Sequence, residues 1–148
     1  MRLDEEEARR RFFAARVARL ATVSGEGEPH LVPVTFAGSG DIGPPDTVVF
    51  AVDTKPKAST DLRRLRNIRA NPRVSLLVDH YDEDWSRLWW VRADGAARIL
   101  DPGGGPVGAL VGALVAKYPR YRDQPPAGPV VEVTVTRWRG WAYGPAPA

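Results

Sequence analysis

Apolar positions along the chain follow two periods, and the switches between them mark its elements. Asp4 precedes Glu5, Glu6 and Glu7, and Ala8, Phe12 and Phe13 fall on one helical face. Asp4 is suited to cap a helix there, and the carboxylates suit its positive end. Residues 17–23 then read as a strand, 24–27 as a turn and 30–36 as the hairpin partner. Pro33 removes a ladder donor from that second strand, which places it at a bulge or a sheet edge, where backbone groups stay open to a ligand. Residues 37–46 are dense in Gly and Pro and read as a loop, and 47–52 form a short apolar strand. Leu62, Leu65 and Ile68 recur at helical spacing over 59–70 among arginines, and Asn71-Pro72 ends that helix. Residues 74–78 read as a buried strand, 79–84 as an acidic loop and 89–100 as a long strand with Gly95 as its bulge. A break over 101–106, a helix over 107–118 and a strand over 130–143 complete the pattern.

That order predicts six strands, mostly in hairpin succession, with about three helices. Helices do not alternate regularly with strands, which argues against a doubly wound parallel sheet. The expected class is mainly β (α+β), a six-stranded antiparallel split β-barrel, because closure removes exposed edges. The 148 residues suit a single domain over 1–148 that buries roughly 70% of its unfolded surface. With 43% hydrophobic and 26% charged residues the composition is that of a globular protein.

The absence of cysteine excludes thiol catalysis, a disulfide framework and Cys-based zinc sites. The start is charged without an apolar stretch, and no run approaches the ~20 residues of a membrane span, so the expectation is a soluble, cytoplasmic protein without a membrane partner. A net charge of +3 is too mild to argue for nucleic acid, and the tryptophans do not interleave with the basic segment as a stacking platform would. Lysine occurs only at Lys55, Lys57 and Lys117 against abundant Arg, Ala, Gly and Pro, a bias of high-GC bacterial genes.

Chemistry concentrates in few places. Lys55, Lys57, Arg63, Arg64 and Arg66 sit at a strand end and a helix start, where cations and helix N–H groups together make an anion site. A solvated helix face is the alternative reading. Five tryptophans could wall a planar ligand or fill the core; Trp89 and Trp90 point to opposite faces, so one of them belongs to the core. Trp85, in a loop mouth, is the best placed for ligand contact. His30 and His80 stand alone, outside any metal-ligand spacing. Nucleophile-elbow and phosphate-loop motifs are absent, and Gly103-Gly104-Gly105 reads as a connector.

The sequence Glu28-Pro29-His30-Leu31-Val32-Pro33-Val34, the Lys55-Pro56-Lys57 turn, the arginine-rich helix and Asn71-Pro72-Arg73-Val74-Ser75-Leu76 occur in an order that resembles the pyridoxamine 5'-phosphate oxidase-like split β-barrel family. Within it the similarity is greatest to the coenzyme F420-dependent branch, over nearly the whole chain. The resemblance implies a homodimer with a cofactor groove in each half, the cofactor being coenzyme F420 or, alternatively, FMN. It implies Leu31, Val32, Pro33 and Val34 near the ring system, and Lys55, Lys57, Arg63, Arg64, Arg66 and Asn67 near the anionic tail. The implied activity is hydride transfer to a small organic acceptor, with an FMN-dependent oxidoreductase or flavin reductase, or a non-catalytic flavin or tetrapyrrole binder, as alternatives. No catalytic side chain is named, since hydride chemistry belongs to the cofactor. The ending Trp138-Arg139-Gly140-Trp141-Ala142-Tyr143 lacks the arginine motif with which the family's vitamin B6 oxidases grip their substrate.

Overall fold

A computed structural model of the chain describes residues 1–39, 46–52 and 62–144. Helix α1 (Glu5–Ala14) starts as its first turn predicts, with the Asp4 carboxylate accepting the Glu7 N–H at 2.8 Å. The described strands are β1 (Ala18–Val23), β2 (Pro29–Val34), β3 (Ala37–Gly38), β4 (Thr47–Ala51), β5 (Arg73–His80), β6 (Trp89–Leu100) and β7 (Val130–Ala142). Helices α2 (Arg63–Ala70) and α3 (Val107–Lys117) and the single turn α4 (Arg120–Asp123) complete the set, with a 3₁₀ turn at Trp85–Arg87. The expected six strands are thus seven. The addition is β3, two residues in a segment read as loop, too short to display a period and visible only through its pairing with Val48 and Val49. The expected start of α2 near residue 59 lies outside the described residues.

All pairs are antiparallel in the order β2-β1-β5-β6-β7-β4-β3. This order forces curvature. The two edge strands β2 and β3 are joined by Thr35 and Phe36 alone. In a flat sheet they would lie about 29 Å apart, at about 4.8 Å per strand. Three Cα–Cα steps reach at most about 11 Å. The sheet therefore curls into a half-barrel whose two edges meet at that corner. Pro33 sits on edge strand β2, as a missing ladder donor requires. Gly95 marks the expected irregularity in β6: the register against β7 shifts between Asp94 and Gly95, and a Cβ there would collide with the Thr134 carbonyl oxygen.

The inside of the curl is filled by Phe12, Leu20, Phe36, Phe50, Leu65, Leu76 and Trp138, with α1 and α2 contributing their apolar faces. A second cluster lies on the outside of β4, where Leu110 and Leu114 of α3 pack on Val49 and Val130. β4 is covered on both faces, so its apolar run does not alternate. Over β1, β2 and β5 the outer face is open, and the strands alternate accordingly. No helix among the described residues is long and apolar enough to cross a membrane.

The corner is held by Tyr118, just past α3. Its hydroxyl accepts the Phe36 N–H at 3.0 Å and lies 2.8 Å from the Arg16 carbonyl and 2.9 Å from the Phe36 carbonyl, which share its proton. Beside it the Lys117 ammonium sits 3.8 Å from the centre of the Phe36 ring, and burial lowers its pKa to about 8. Replacing Tyr118 by Phe strands buried backbone groups at the corner. We expect a loss of about 1–3 kcal/mol, measured as a lower urea midpoint at unchanged slope.

Candidate functional site

Strand β2 has two faces with different chemistry. Pro29, Leu31 and Pro33 point outward and are exposed, whereas His30, Val32 and Val34 point inward. Of the four strand residues assigned to the cofactor ring, Leu31 and Pro33 face solvent, Val32 packs against the core and Val34 is buried in it. The side chain of Val34 is therefore not available to a ligand in this chain, since a period of two commits it to the core.

The outward face opens a trough of about 530 Å³ floored by Ala21, Leu31, Leu77, Tyr81 and Trp90. Its charged residues are matched. Arg19 bonds Asp79 at 3.1 Å, Arg92 donates to Asp94 at 2.9 Å, and Ser75 donates to the same carboxylate at 2.7 Å. What remains for a ligand is a broad apolar floor: Leu31 is 67% and Tyr81 68% exposed. The two adjacent tryptophans divide as β geometry requires, with Trp89 packed on the core and Trp90 lining the trough. Trp85 is 70% exposed on its 3₁₀ turn and does not line the trough.

The inward end of β2 meets α2, and here the helix start is inverted relative to α1. Leu62 occupies the cap position without a side-chain bond, the first turn has no acid, and Arg63 and Arg64 open the helix. Cations at the positive end of a helix dipole oppose it. Arg63 reaches Glu28 at 3.1 Å across the surface. His30 stands beside both arginines. Its Nδ1 is buried without a partner among the described residues, and burial, followed by Arg63 and Arg64, pushes its pKa below the usual imidazole range. An anion at this point would relieve the dipole, both guanidiniums and the orphaned nitrogen together. Sequence reasoning took His30 as an isolated histidine and missed this. The available signal was its place as the one polar residue on the inward face with Val32 and Val34.

The other tail residues separate. Arg64 is half-buried and Arg66 exposed on α2. Asn67 is 4% exposed, and its amide donates to Thr22 at 3.0 Å, tying α2 to β1. Its side chain acts in the helix–sheet joint, because the period that turns Arg63 and Arg66 to solvent turns position 67 inward. Lys55 and Lys57 lie outside the described residues.

A family model described as pyridoxamine 5'-phosphate oxidase matches residues 4–142. Among solved structures, the chain resembles an FAD-binding protein from Mesorhizobium loti (21% identity, 95% of this chain and 93% of that one, TM-score 0.70). It also resembles a conserved hypothetical protein from Mycobacterium tuberculosis (22%, 99% and 91%, TM-score 0.71) and a heme storage protein from Vibrio cholerae (17%, 96% and 95%, TM-score 0.69). At these identities the likeness establishes the fold.

The lowered pKa of His30 has a signed consequence. Between its folded pKa and the ordinary value of about 6.5, the unfolded chain binds more protons, so this group's contribution to stability is lost as pH falls through that window. Arg64→Ala should move the His30 titration, followed by imidazole NMR, upward. Added inorganic phosphate should do the same to the wild type.

Proposed function

The chain belongs to the pyridoxamine 5'-phosphate oxidase family, and from that premise we propose that it holds a flavin-type cofactor, the deazaflavin coenzyme F420, and passes hydride to a small organic acceptor. One observation carries the reading: edge strand β2 stands between an apolar trough and a helix start whose first turn carries Arg63 and Arg64 and no acid, with His30 beside them. A planar ring joined to an anionic tail needs both. Leu31 and Pro33 would meet the ring from the trough side. Arg63, Arg64 and the His30 Nδ1 would hold the phosphate, with Lys55 and Lys57, a few positions earlier in the sequence, adding charge.

The cofactor supplies the hydride, and the protein's part is orientation and electrostatics. The closed ion pairs Arg19–Asp79 and Arg92–Asp94 leave the trough's apolar floor free of uncompensated charge. The preference for the deazaflavin over FMN rests on the number of cations from Lys55 to Arg66, which exceeds what one terminal phosphate requires. A second copy of the chain completes the groove in this reading, since the outer face exposes Leu31, Leu77 and Tyr81 together.

Fluorescence titration of the purified protein should rank coenzyme F420 above FMN and heme. Arg64→Gln should weaken F420 binding by about 1.5–3 kcal/mol, the scale of a hydrogen bond to a charged group, and the wild type should lose more affinity with salt than the variant. Tighter binding of FMN or heme would reassign the cofactor. Sedimentation should give a dimer at micromolar concentration; a monomer would refute the shared groove.

A further inference from the structure

A second cavity, of about 580 Å³, opens at the other end of β1. His30 pairs with Thr22, whereas this cavity is reached at Val17, and the five residue steps along the strand from Val17 to Thr22 span roughly 17 Å. Its apolar walls are Ala14, Ala15, Val17, Val78, Leu88 and Ala142. One side carries an aromatic pair, Trp89 and His80, with ring centres 6.4 Å apart and planes inclined by 23°.

Four arginines line it: Arg10, Arg11, Arg16 and Arg87. Arg11 is 9% exposed, and its guanidinium lies 5.3 Å over the Trp89 ring. Only its Nε is engaged by a described residue, with Glu7 at 2.8 Å. That carboxylate is shared with Arg10 at 2.5 and 3.0 Å, and the two guanidiniums hold its pKa down at about 2. One acid thus serves two arginines. Arg16 bonds the Lys117 carbonyl and stacks on Tyr118, and Arg87 stands 3.8 Å from Asp82. The lining acid Asp79 is paired with Arg19. Among the described residues the cavity keeps an excess of positive charge beside an aromatic wall, and a guanidinium over tryptophan that keeps free N–H groups can donate them to a carboxylate.

We propose that this cavity binds a small planar anion, of the aromatic carboxylate class, at a site distinct from the β2 groove. The volume suits a single small molecule. The aromatic pair recognises the ring, and Arg11 with its neighbours recognises the carboxylate.

Salicylate serves as the probe, titrated against the cofactor-free protein while the side-chain NMR signals of His80, Trp89 and His30 are followed. One salicylate per chain is expected, shifting His80 and Trp89 and leaving His30 unmoved. Neutral salicylamide should bind at least tenfold more weakly. The double variant Arg10→Gln/Arg87→Gln alters exposed side chains only and should weaken salicylate at least fivefold at unchanged Tm, and Arg11→Gln should weaken it further. Equal binding of salicylamide, unchanged affinity in the folded double variant, or shifts at His30 in place of His80 would each overturn the proposal. The measurement needs no cofactor, so failure of the F420 assignment leaves it standing, and its own failure leaves that assignment untouched.

Discussion

Everything in this fold depends on one closure: the two edges of a seven-stranded sheet meet across Thr35 and Phe36. The link is far shorter than the width of a flat sheet, so the strands must coil, and coiling separates an inner face from an outer one. Tyr118 secures the corner by satisfying backbone groups that the bend takes out of the ladder. Thr35 is held from the same side, its hydroxyl 2.8 Å from that of Tyr121. Helix α3 thereby does two jobs, covering the outside of β4 and delivering Tyr118 to the corner.

The closure also decides where the chemistry sits. Because α3 covers one outer flank, the flank formed by β2, β1, β5 and β6 stays open, and Leu31 and Leu77 stand on it exposed. Because β2 is an edge strand, its inward residue His30 reaches the start of α2 while its outward neighbour Leu31 borders the trough. One strand thus separates an apolar surface from a positive one. The contrast between the two helix starts sharpens this. α1 follows every rule of helix electrostatics, with an aspartate cap and three glutamates, and α2 reverses them with a leucine and two arginines. A helix start that opposes its own dipole is destabilising by itself and becomes favourable once an anion arrives.

Much of this was legible in the chain. The Asp4 cap, the stop at Asn71-Pro72, the bulge at Gly95 and the edge position of Pro33 are each written in local residue chemistry, and each is found where that chemistry puts it. Local sterics and hydrogen bonding act over a few residues, so a few residues suffice to read them. Strand β3 escaped because two residues carry no period. The resemblance placed Asn67 near an anionic tail, and only the fold shows its side chain drawn inward to Thr22, forty-five positions away in the chain.

The sequence by itself determined the elements, the mainly β antiparallel class and the accumulation of cations ahead of and within α2. Only the tertiary structure decided that Leu31 faces a trough, that the His30 Nδ1 is left without a partner among the described residues, and that the Arg11 guanidinium stands over the Trp89 ring. The physical reason is range. Periodicity says that alternate residues of a strand part company, but which side becomes core and which stays open depends on the direction of the curl. That direction is set by contacts such as Tyr118 with Phe36, between residues eighty-two positions apart.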